Sequence, residues 1–287
     1  MNRDRRPRGA SAFLEQYAGL YGPRWGTLLE SLTGPADSVA FRASAESEPY
    51  FLDSASLFAA QCLILPALRR GAAQESGTAS SAAGSGPALV LDACAAPGGK
   101  SLVLASRMAA VCGPDALLQS NELSANRRRR LAAVLDRHLP PAMRSRVEVL
   151  GRDAASLCRT RREVYDAILL DAPCSSERHV LADARALEEW SPARSRNLAA
   201  RQWALLSSAF LMLKPGGCLV YSTCSLAPQE NQGVVARLEG KYGGEFDFDP
   251  PEDGRCERAG AGMLMLPDRA GGAGPMFVCR LSKRLQG

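Results

Sequence analysis

Continuous apolar runs separated by amphipathic stretches give this chain its pattern. The runs occupy residues 89–91, 116–120, 147–150, 165–170 and 218–221. They are short and lack the polar alternation of a half-exposed strand, which predicts strands buried on both faces of a parallel sheet. Apolar positions at helical spacing lie between them, most clearly at 101–108 and 195–213. The alternation predicts an α/β fold with a mostly parallel sheet and helices on both faces.

The last third of the chain predicts elements that complete this sheet. Lys214-Pro215-Gly216-Gly217 ends the long helix, because proline and glycine disfavour its continuation. Residues 229–238 predict a further helix, with Pro228 near its start, where a missing amide is tolerated. Segments 246–248 and 276–281 predict a closing antiparallel hairpin.

The residues before the first buried run predict a separate unit. Apolar side chains recur at helical spacing across 13–21 and 25–32, which favours an amphipathic helical pair packed on the larger domain. Residues 71–87 are rich in glycine, alanine and serine and predict a flexible linker. The predicted organisation is an N-terminal helical extension at 1–70, the linker at 71–87 and one large domain at 88–287.

Composition limits the class of protein. With 287 residues, 46% of them hydrophobic, the chain can bury a full core. No apolar stretch approaches the ~18 residues of a membrane helix, so no membrane segment is expected. The net charge of +5 suits a polyanionic partner without identifying one. Arginines cluster near the start, at 127–130 and at 159–162, as solvated faces or as phosphate contacts.

Two of the nine cysteines, Cys174 and Cys224, differ from the others in their position relative to the predicted strands. None of the nine forms a Cys-x-x-Cys pair, and only two histidines accompany them, so no metal site is expected. Their odd number, without a secretory signal, favours a reducing compartment. Cys174 and Cys224 each follow a run that predicts a buried parallel strand, so both should lie at carboxyl strand ends, where such sheets bind ligands. They are either two thiols of one cleft or small core residues.

A glycine-rich turn and three acids add a candidate ligand site. The turn within Asp92-Ala93-Cys94-Ala95-Ala96-Pro97-Gly98-Gly99-Lys100-Ser101 follows a strand and precedes a helix, so its backbone amides can approach a ligand closely. Glu122, Asp153 and Asp171 follow successive strands. Glu122 can accept hydrogen bonds from ribose hydroxyls and Asp153 from an adenine amino group; the alternative for each acid is a helix cap or a solvated residue.

These motifs in combination resemble the NOL1/NOP2/Sun family of RNA cytosine-5 methyltransferases. The resemblance spans residues 50–283, and Glu122 stands where the family more often has aspartate. Its motifs are Tyr50-Phe51-Leu52-Asp53-Ser54-Ala55-Ser56, the glycine-rich turn, Asn121-Glu122-Leu123-Ser124 with Arg127, Asp171-Ala172-Pro173-Cys174-Ser175-Ser176 and Ser222-Thr223-Cys224-Ser225. The resemblance implies a Rossmann-like class I fold with a seven-stranded sheet, and a methyltransferase catalytic domain at 88–287.

The resemblance also implies a reaction. Cys224 would be the nucleophile that adds to carbon 6 of cytosine, and Cys174 would assist release of the product. Asp171 would bind the N3 and amino edge of the base, and Lys100 could lower the pKa of a thiol. S-adenosyl-L-methionine would be the cofactor. Its predicted binding residues are Cys94, Ala95, Ala96, Pro97, Gly98, Gly99, Lys100, Glu122, Arg127, Asp153 and Asp171.

Within that set, two residues have alternative roles. Arg127 would hold the methionine carboxylate of the cofactor or support Glu122. Cys94 is interpreted as a packing residue, small where the backbone must approach the ligand.

Two alternative functions are a methyltransferase that acts on DNA and an RNA-binding protein without catalytic activity. DNA cytosine-5 methyltransferases as a family follow the Pro-Cys pair with Glu-Asn-Val, whereas Cys174 is followed by Ser175-Ser176-Glu177, and Cys224 would be unexplained. A non-catalytic RNA-binding or ribosome assembly factor would not need both thiols. On the RNA interpretation, the amino-terminal helices could instead form an RNA-facing cap.

Several properties stay open at the level of sequence. The substrate is rRNA or tRNA, and a partner protein that supplies RNA affinity is an open possibility. The chain resembles a short form of the family without an added RNA-binding domain, and a monomer is expected. A bacterial cytoplasm is expected, with the mitochondrial matrix as the alternative, although residues 1–9 do not predict a transit peptide.

Overall fold

The computed structural model describes residues 8–66 and 86–285. The predicted linker at 71–87 lies outside these residues except for its last two positions, so its flexibility stays a prediction.

Eleven strands occur in the described part of the chain, two in a small separate sheet and nine in a central one. They are β1 (Ser38–Phe41), β2 (Tyr50–Asp53), β3 (Leu89–Asp92), β4 (Leu117–Asn121), β5 (Val147–Leu150), β6 (Tyr165–Asp171), β7 (Leu213–Thr223), β8 (Phe246–Phe248), β9 (Cys256–Ala259), β10 (Gly262–Met265) and β11 (Met276–Lys283). The central order is β5-β4-β3-β6-β7-β11-β10-β9, and β8 pairs with β11.

The central sheet is the predicted α/β sheet, so the fold class is confirmed. Strands β3 to β7 are parallel. The predicted antiparallel pairing of β8 with β11 is present, but it is not a hairpin, because β9 and β10 lie between them in sequence. The sheet has nine strands rather than the expected seven, because β9 and β10 form an additional hairpin. In its tight turn, Gly260 has a φ of 62°, which glycine adopts without steric cost.

Helices cover both faces of this sheet. They are α1 (Gly9–Tyr21), α2 (Trp25–Thr33), α3 (Ser54–Gln61), α4 (Gly99–Val111), α5 (Ala125–His138), α6 (Pro141–Arg144), α7 (Glu177–Ala182), α8 (Ala184–Glu188), α9 (Pro192–Met212) and α10 (Gln232–Tyr242). The long helix predicted at 195–213 is α9. The helix predicted at 229–238 is α10, which begins three residues later because Glu230 and Asn231 lie buried in the preceding turn. Of the helices described, none combines the length and apolar character needed to cross a bilayer.

Two apolar cores lie on opposite faces of the sheet. On β6, Ile168 and Leu170 join the core beneath α9 and α10, whereas Ala167 and Leu169 join the core beneath α3 and α4. Alternate residues of a strand point to opposite faces, so a strand buried on both faces must be apolar throughout. This is why β6 has the continuous run seen in the sequence.

The amino-terminal helices pack on the rest of the fold, as the sequence analysis favoured. Phe13 and Tyr17 of α1 and Trp25 of α2 are buried with Trp190 in one aromatic cluster. The sequence analysis expected a helical segment here. The structure differs in part, because β1 and β2 form an antiparallel pair within it. The domain boundaries at residues 70 and 88 stay a prediction.

Candidate active site

The carboxyl ends of the parallel strands bring the predicted site residues to one edge of the sheet. Asp92 ends β3, Asn121 ends β4 and Asp171 ends β6. Strand β7, which carries Ser222 beside Asp171 in register, ends at Thr223. The loops that follow these strands therefore share one cleft, as the sequence predicted.

Cys174 and Cys224 meet at this edge of the sheet. Because β6 and β7 are neighbours in the sheet, the loops after them lie side by side, and Cys174 Sγ is 3.0 Å from Cys224 Sγ. Ser176 Oγ lies 3.1 Å from Cys224 Sγ, and the Cys224 amide donates a hydrogen bond to Cys174 Sγ at 3.2 Å. The structure thus makes the thiols direct neighbours.

Their hydrogen bonds give the two thiols different acidities. The Cys174 thiol donates to the Cys224 sulfur, which lowers the pKa of Cys224 below its usual value, and Ser176 lowers it further against the effect of burial. The same hydrogen bond, together with burial, raises the pKa of Cys174 well above its usual value. The pair therefore favours a thiolate on Cys224 and a proton on Cys174. A thiolate is the nucleophilic form of cysteine.

A partly buried ion pair lies within electrostatic reach of Cys224. Lys100 Nζ contacts Asp171 Oδ2 at 2.9 Å and donates to Ser56 Oγ at 3.1 Å, while Ser222 Oγ donates to Asp171 Oδ1 at 2.8 Å. Burial alone would lower the pKa of Lys100, but Asp171 outweighs it and the pKa is raised. Lys100 is within electrostatic reach of Cys224, but its hydrogen bonds described here go to Asp171 and Ser56.

The larger cavity beside the cleft, of about 450 Å³, holds the predicted adenosine-binding acids. The Glu122 side chain is only 6% exposed, and its Oε1 accepts the Ser124 amide hydrogen bond at 2.8 Å. Asp153 lines the same cavity, 3.7 Å from Arg201 Nη2. Arg127 Nε lies 3.5 Å from Glu122 Oε2, so it supports Glu122 in this conformation.

The glycine-rich turn lies between this cavity and a smaller one of about 200 Å³. Cys94 lines both, whereas Ala95, Ala96, Pro97, Gly99, Lys100 and Asp171 line only the smaller. Gly98 has a φ of 127°, which other residues rarely adopt, and a Cβ on Gly99 would lie 2.8 Å from a Tyr50 ring carbon. The turn therefore requires glycine at both positions.

Four of the other cysteines differ from Cys224, because burial makes their thiols less acidic. Burial raises the pKa of Cys62 to about 12, of Cys279 to about 12 and of Cys256 to about 11. Burial also raises the pKa of Cys94, in agreement with a packing role. Across residues 8–66 and 86–285, no three His, Cys, Asp or Glu side chains gather into a candidate metal site.

Comparison with known proteins places this cleft in a family. A sequence model described as 16S rRNA methyltransferase RsmB/F matches residues 85–280, which is more than half of the chain. The chain belongs to the RsmB/F methyltransferase family. This agrees with the resemblance drawn from its motifs, and the match includes both thiol loops.

Two relatives of this RsmB/F family member differ in the substrate that they are named for. Ribosomal RNA small subunit methyltransferase F of Aeromonas hydrophila is 44% identical over 165 residues, which are 58% of this chain and 33% of that protein. The mitochondrial tRNA (cytosine(34)-C(5))-methyltransferase of Danio rerio is 36% identical over 206 residues, 68% of this chain and 54% of that protein. The chain thus spans about a third to a half of these relatives.

A solved structure extends the likeness of the fold. The methyltransferase homolog protein from Pyrococcus horikoshii superimposes with a TM-score of 0.66 at 21% identity, over 95% of this chain and 94% of that one.

One acid of this RsmB/F site was given no role by the sequence analysis. Asp92 is fully buried, lines the smaller cavity and accepts a hydrogen bond from Ser101 Oγ at 2.6 Å through Oδ2, while Oδ1 has no partner. Burial raises its pKa to about 7. A single acid at the end of an apolar strand, directly before a glycine-rich turn, was the signal that could have identified it.

Three further polar side chains near the thiols were also missed. Ser176 contacts Cys224, and the buried acids Glu177 and Glu230 lie behind the thiol loops. For Ser176 its position two residues after the Pro-Cys pair was a usable signal. For the two glutamates no local signal existed, because acids in polar loops are usually solvated.

Proposed function

We propose that the chain is an S-adenosylmethionine-dependent RNA cytosine-5 methyltransferase that forms 5-methylcytidine in rRNA or tRNA. The observation that carries this proposal is the pair Cys174 and Cys224, with sulfur atoms 3.0 Å apart, beside the ion pair of Lys100 and Asp171. Methylation at carbon 5 needs a nucleophile to activate the ring and a second group to assist release. A structural cysteine pair would not need the adjacent ion pair.

The residues around the two cavities fit S-adenosylmethionine. A cavity of about 450 Å³ falls in the usual range for small-molecule sites. Glu122 would accept from the ribose hydroxyls, Asp153 from the adenine amino group, and the turn from Cys94 to Gly99 would present backbone close to the ligand. The buried Asp92 carboxyl group lines the smaller cavity, where a negative charge on it would favour a cationic group of the cofactor.

The chain's own residues would carry the steps on the base. When bound, S-adenosylmethionine supplies an electrophilic methyl group on a sulfonium. The Cys224 thiolate adds to carbon 6 of cytosine, which makes carbon 5 nucleophilic. Asp171, oriented by Lys100 and Ser222, holds the N3 and amino edge of the ring as charge develops there.

Release of the product then requires a second group. The proton on carbon 5 must be removed, and the bond between carbon 6 and the Cys224 sulfur must break with its electron pair returning to sulfur. Cys174 is assigned to this step because it is the thiol in contact with the leaving sulfur. After it releases its own proton to solvent, Cys174 takes the proton from carbon 5, which leaves Cys174 as a thiol and Cys224 as a thiolate.

RNA as the polymer is supported by the family and by the names of the two relatives, one for small-subunit rRNA and one for tRNA. The target base must leave its stack or lie in a loop to reach the cleft. Three basic side chains that line the larger cavity, Arg127, Arg152 and Arg201, are candidate phosphate contacts.

Substitution of each thiol tests the assignment. Cys224→Ala should lower methyl transfer by about 10³-fold or more, because the nucleophile is lost. Cys174→Ala should instead accumulate a covalent protein–RNA complex, visible as a slowly migrating band on a denaturing gel. Methyl transfer is measured from labelled S-adenosylmethionine to size-fractionated total RNA that is then digested to nucleosides.

Cys158→Ala serves as the matched control, because this cysteine lies after β5, packs against the core beneath α9 and α10 and should leave both readouts unchanged. Label in 5-methylcytidine would support the proposal, and the labelled size fraction would distinguish rRNA from tRNA. No label, with cofactor binding intact, would favour the non-catalytic RNA-binding factor. Slower turnover in both variants without a trapped complex would contradict the division of roles.

A further inference from the structure

A fully buried carboxylate lies directly behind the two thiol loops. Glu177 begins α7, and its side chain turns inward. Four donors address it: the Tyr17 hydroxyl at 2.5 Å, the Leu226 amide at 2.9 Å, the Ser225 hydroxyl at 3.3 Å and the Ser175 hydroxyl. Its contacts therefore come from three separate parts of the chain.

Two of these parts are the thiol loops themselves. Ser175 follows Cys174, and Ser225 and Leu226 follow Cys224. The hydroxyls of Ser175 and Ser225 also contact each other at 2.8 Å. One carboxylate thus joins the two loops within one or two residues of each sulfur atom. The pairing of β6 with β7 does not fix the two thiol loops, because both loops lie beyond the last paired positions of these strands.

A second buried acid strengthens the arrangement from the other side. Glu230 Oε2 accepts the Ser175 amide at 2.9 Å and the Gln202 amide group at 2.8 Å. Burial raises the pKa of Glu177, with Glu230 contributing to the rise and the hydrogen bonds from Ser175 and Tyr17 opposing it.

Burial of a carboxylate such as Glu177 lowers the stability of the fold unless it is compensated. Removing a carboxylate from water costs several kcal/mol even after relaxation, and apolar replacements of buried charged groups are often neutral or stabilising. Four converging donors offset the cost at Glu177 but do not explain why an acid is there. The geometry explains the choice of an acid. Only a side chain with two acceptor oxygen atoms can accept from the Leu226 amide on one oxygen and from three hydroxyls on the other.

We propose that Glu177, held by Tyr17 of α1, is a positioning residue that fixes the Cys224 loop against the Cys174 loop and so sets the separation of the two sulfur atoms. This inference rests on the proposed function for its catalytic meaning. It also gives α1 a role, because the Tyr17 ring is packed between Phe13 and Trp25 and delivers its hydroxyl from the amino-terminal segment.

The test measures the sulfur separation without relying on methyl transfer. Diamide oxidises two adjacent thiols to a disulfide and is itself reduced to the hydrazine, and the rate depends on how often the sulfur atoms meet. The crosslinked peptide pair of Cys174 and Cys224 is quantified by mass spectrometry after proteolysis. In Glu177→Gln, the amide nitrogen cannot accept from Leu226, so the loop loses one anchor. We expect crosslinking to slow by about 10-fold or more.

The kinetic arm separates positioning from loss of fold. Glu177→Gln should lower kcat by about 10- to 100-fold, because small misplacements of a reacting group are costly, while the KM for S-adenosylmethionine changes less than about 2-fold. Tyr17→Phe keeps the ring packing and removes one donor, so it should show the same pattern with a smaller fall in kcat. This milder variant keeps the test informative if Glu177→Gln does not fold.

The matched control is Asp268→Asn. The Asp268 side chain is buried and pairs with Arg24 Nε at 2.6 Å, so Asp268→Asn removes the charge of a buried carboxyl group, keeps an oxygen that can accept from Arg24, and touches neither Tyr17 nor either thiol loop. It should crosslink and turn over at wild-type rates. Glu177→Gln that folds, crosslinks and turns over like the wild type would overturn the inference, as would an equal effect of Asp268→Asn. The two proposals can also fail separately. If the wild type crosslinks faster than Glu177→Gln but transfers no methyl group, the result would contradict the proposed function and still support the positioning role.

Discussion

The buried carboxyl of Asp92 makes the stability of this protein depend on pH in a way that one substitution should remove. Burial raises the pKa of Asp92 from 3.8 to about 7, and the negative charge of Asp171 acts in the same direction. A folded-state pKa above the unfolded value means that the folded chain holds the proton more tightly. The stabilisation from Asp92 is therefore fully present below about pH 3.8, is lost as pH rises towards about 7 and is constant above that.

The size of the effect follows from the two pKa values. Their difference, about 3, corresponds to about 4 kcal/mol over the whole range at 1.4 kcal/mol for each pH unit. About half of this, about 2 kcal/mol, falls between about pH 5.5 and about pH 8. Asp92→Asn carries no titrating proton. Any cost of burying its amide group, about 1–3 kcal/mol if the amide is unpaired, is the same at every pH and cancels when two pH values are compared.

Urea unfolding followed by circular dichroism measures this quantity. The free energy of unfolding is determined for the wild type and for Asp92→Asn at about pH 5.5 and about pH 8, and the difference between the proteins is compared. The variant should gain about 2 kcal/mol relative to the wild type at the higher pH, because other titrating groups are common to both proteins. The same difference at both pH values would refute the assignment of a proton to Asp92 near neutral pH.

Three further predictions concern the thiols and the cofactor cavity. Ser176→Ala should raise the pKa of Cys224, since a donor to the thiolate is lost, and the pH profile for alkylation of Cys224 by iodoacetamide should move to higher pH; an unchanged profile would contradict the contact. Gly98→Ala should destabilise the fold by about 1–3 kcal/mol in urea unfolding, because φ is 127° and its Cβ would lie 2.9 Å from a valine methyl, whereas Gly113→Ala has open space and should be near neutral. Glu122→Gln should weaken S-adenosylmethionine binding by about 10-fold in calorimetry, as expected for a lost charged acceptor, and unaltered affinity would remove it from the proposed site.

Local patterns were sufficient for much of the fold. The strand β6 was predicted within one residue, because a strand buried on both faces must be apolar throughout. The helix α9 was predicted within three residues of its start, because a long apolar repeat has few alternative interpretations. The hairpin of β9 and β10 was not predicted. Its strands are four residues each, and Glu257 and Arg258 give no apolar alternation.

Some residues of the candidate site could likewise be identified from the sequence, whereas the role of others could not. Cys174, Cys224 and the acids Glu122, Asp153 and Asp171 were identifiable because each follows a predicted strand, and parallel strands deliver their carboxyl ends to one edge. The sequence left open whether Arg127 meets a ligand or supports Glu122. A distance of 3.5 Å between Arg127 Nε and Glu122 Oε2 favours support in this conformation.

By itself, the sequence determined the class of sheet, the edge at which its loops meet and the family to which the motifs point, because these depend on the order of apolar runs and on short contiguous motifs. Only the tertiary structure decided that Cys174 and Cys224 touch, that Cys224 is the more acidic thiol and that Glu177 lies buried between their loops. Those properties arise from strand neighbours, burial and hydrogen bonds between residues about 50 positions apart, and no local pattern encodes them.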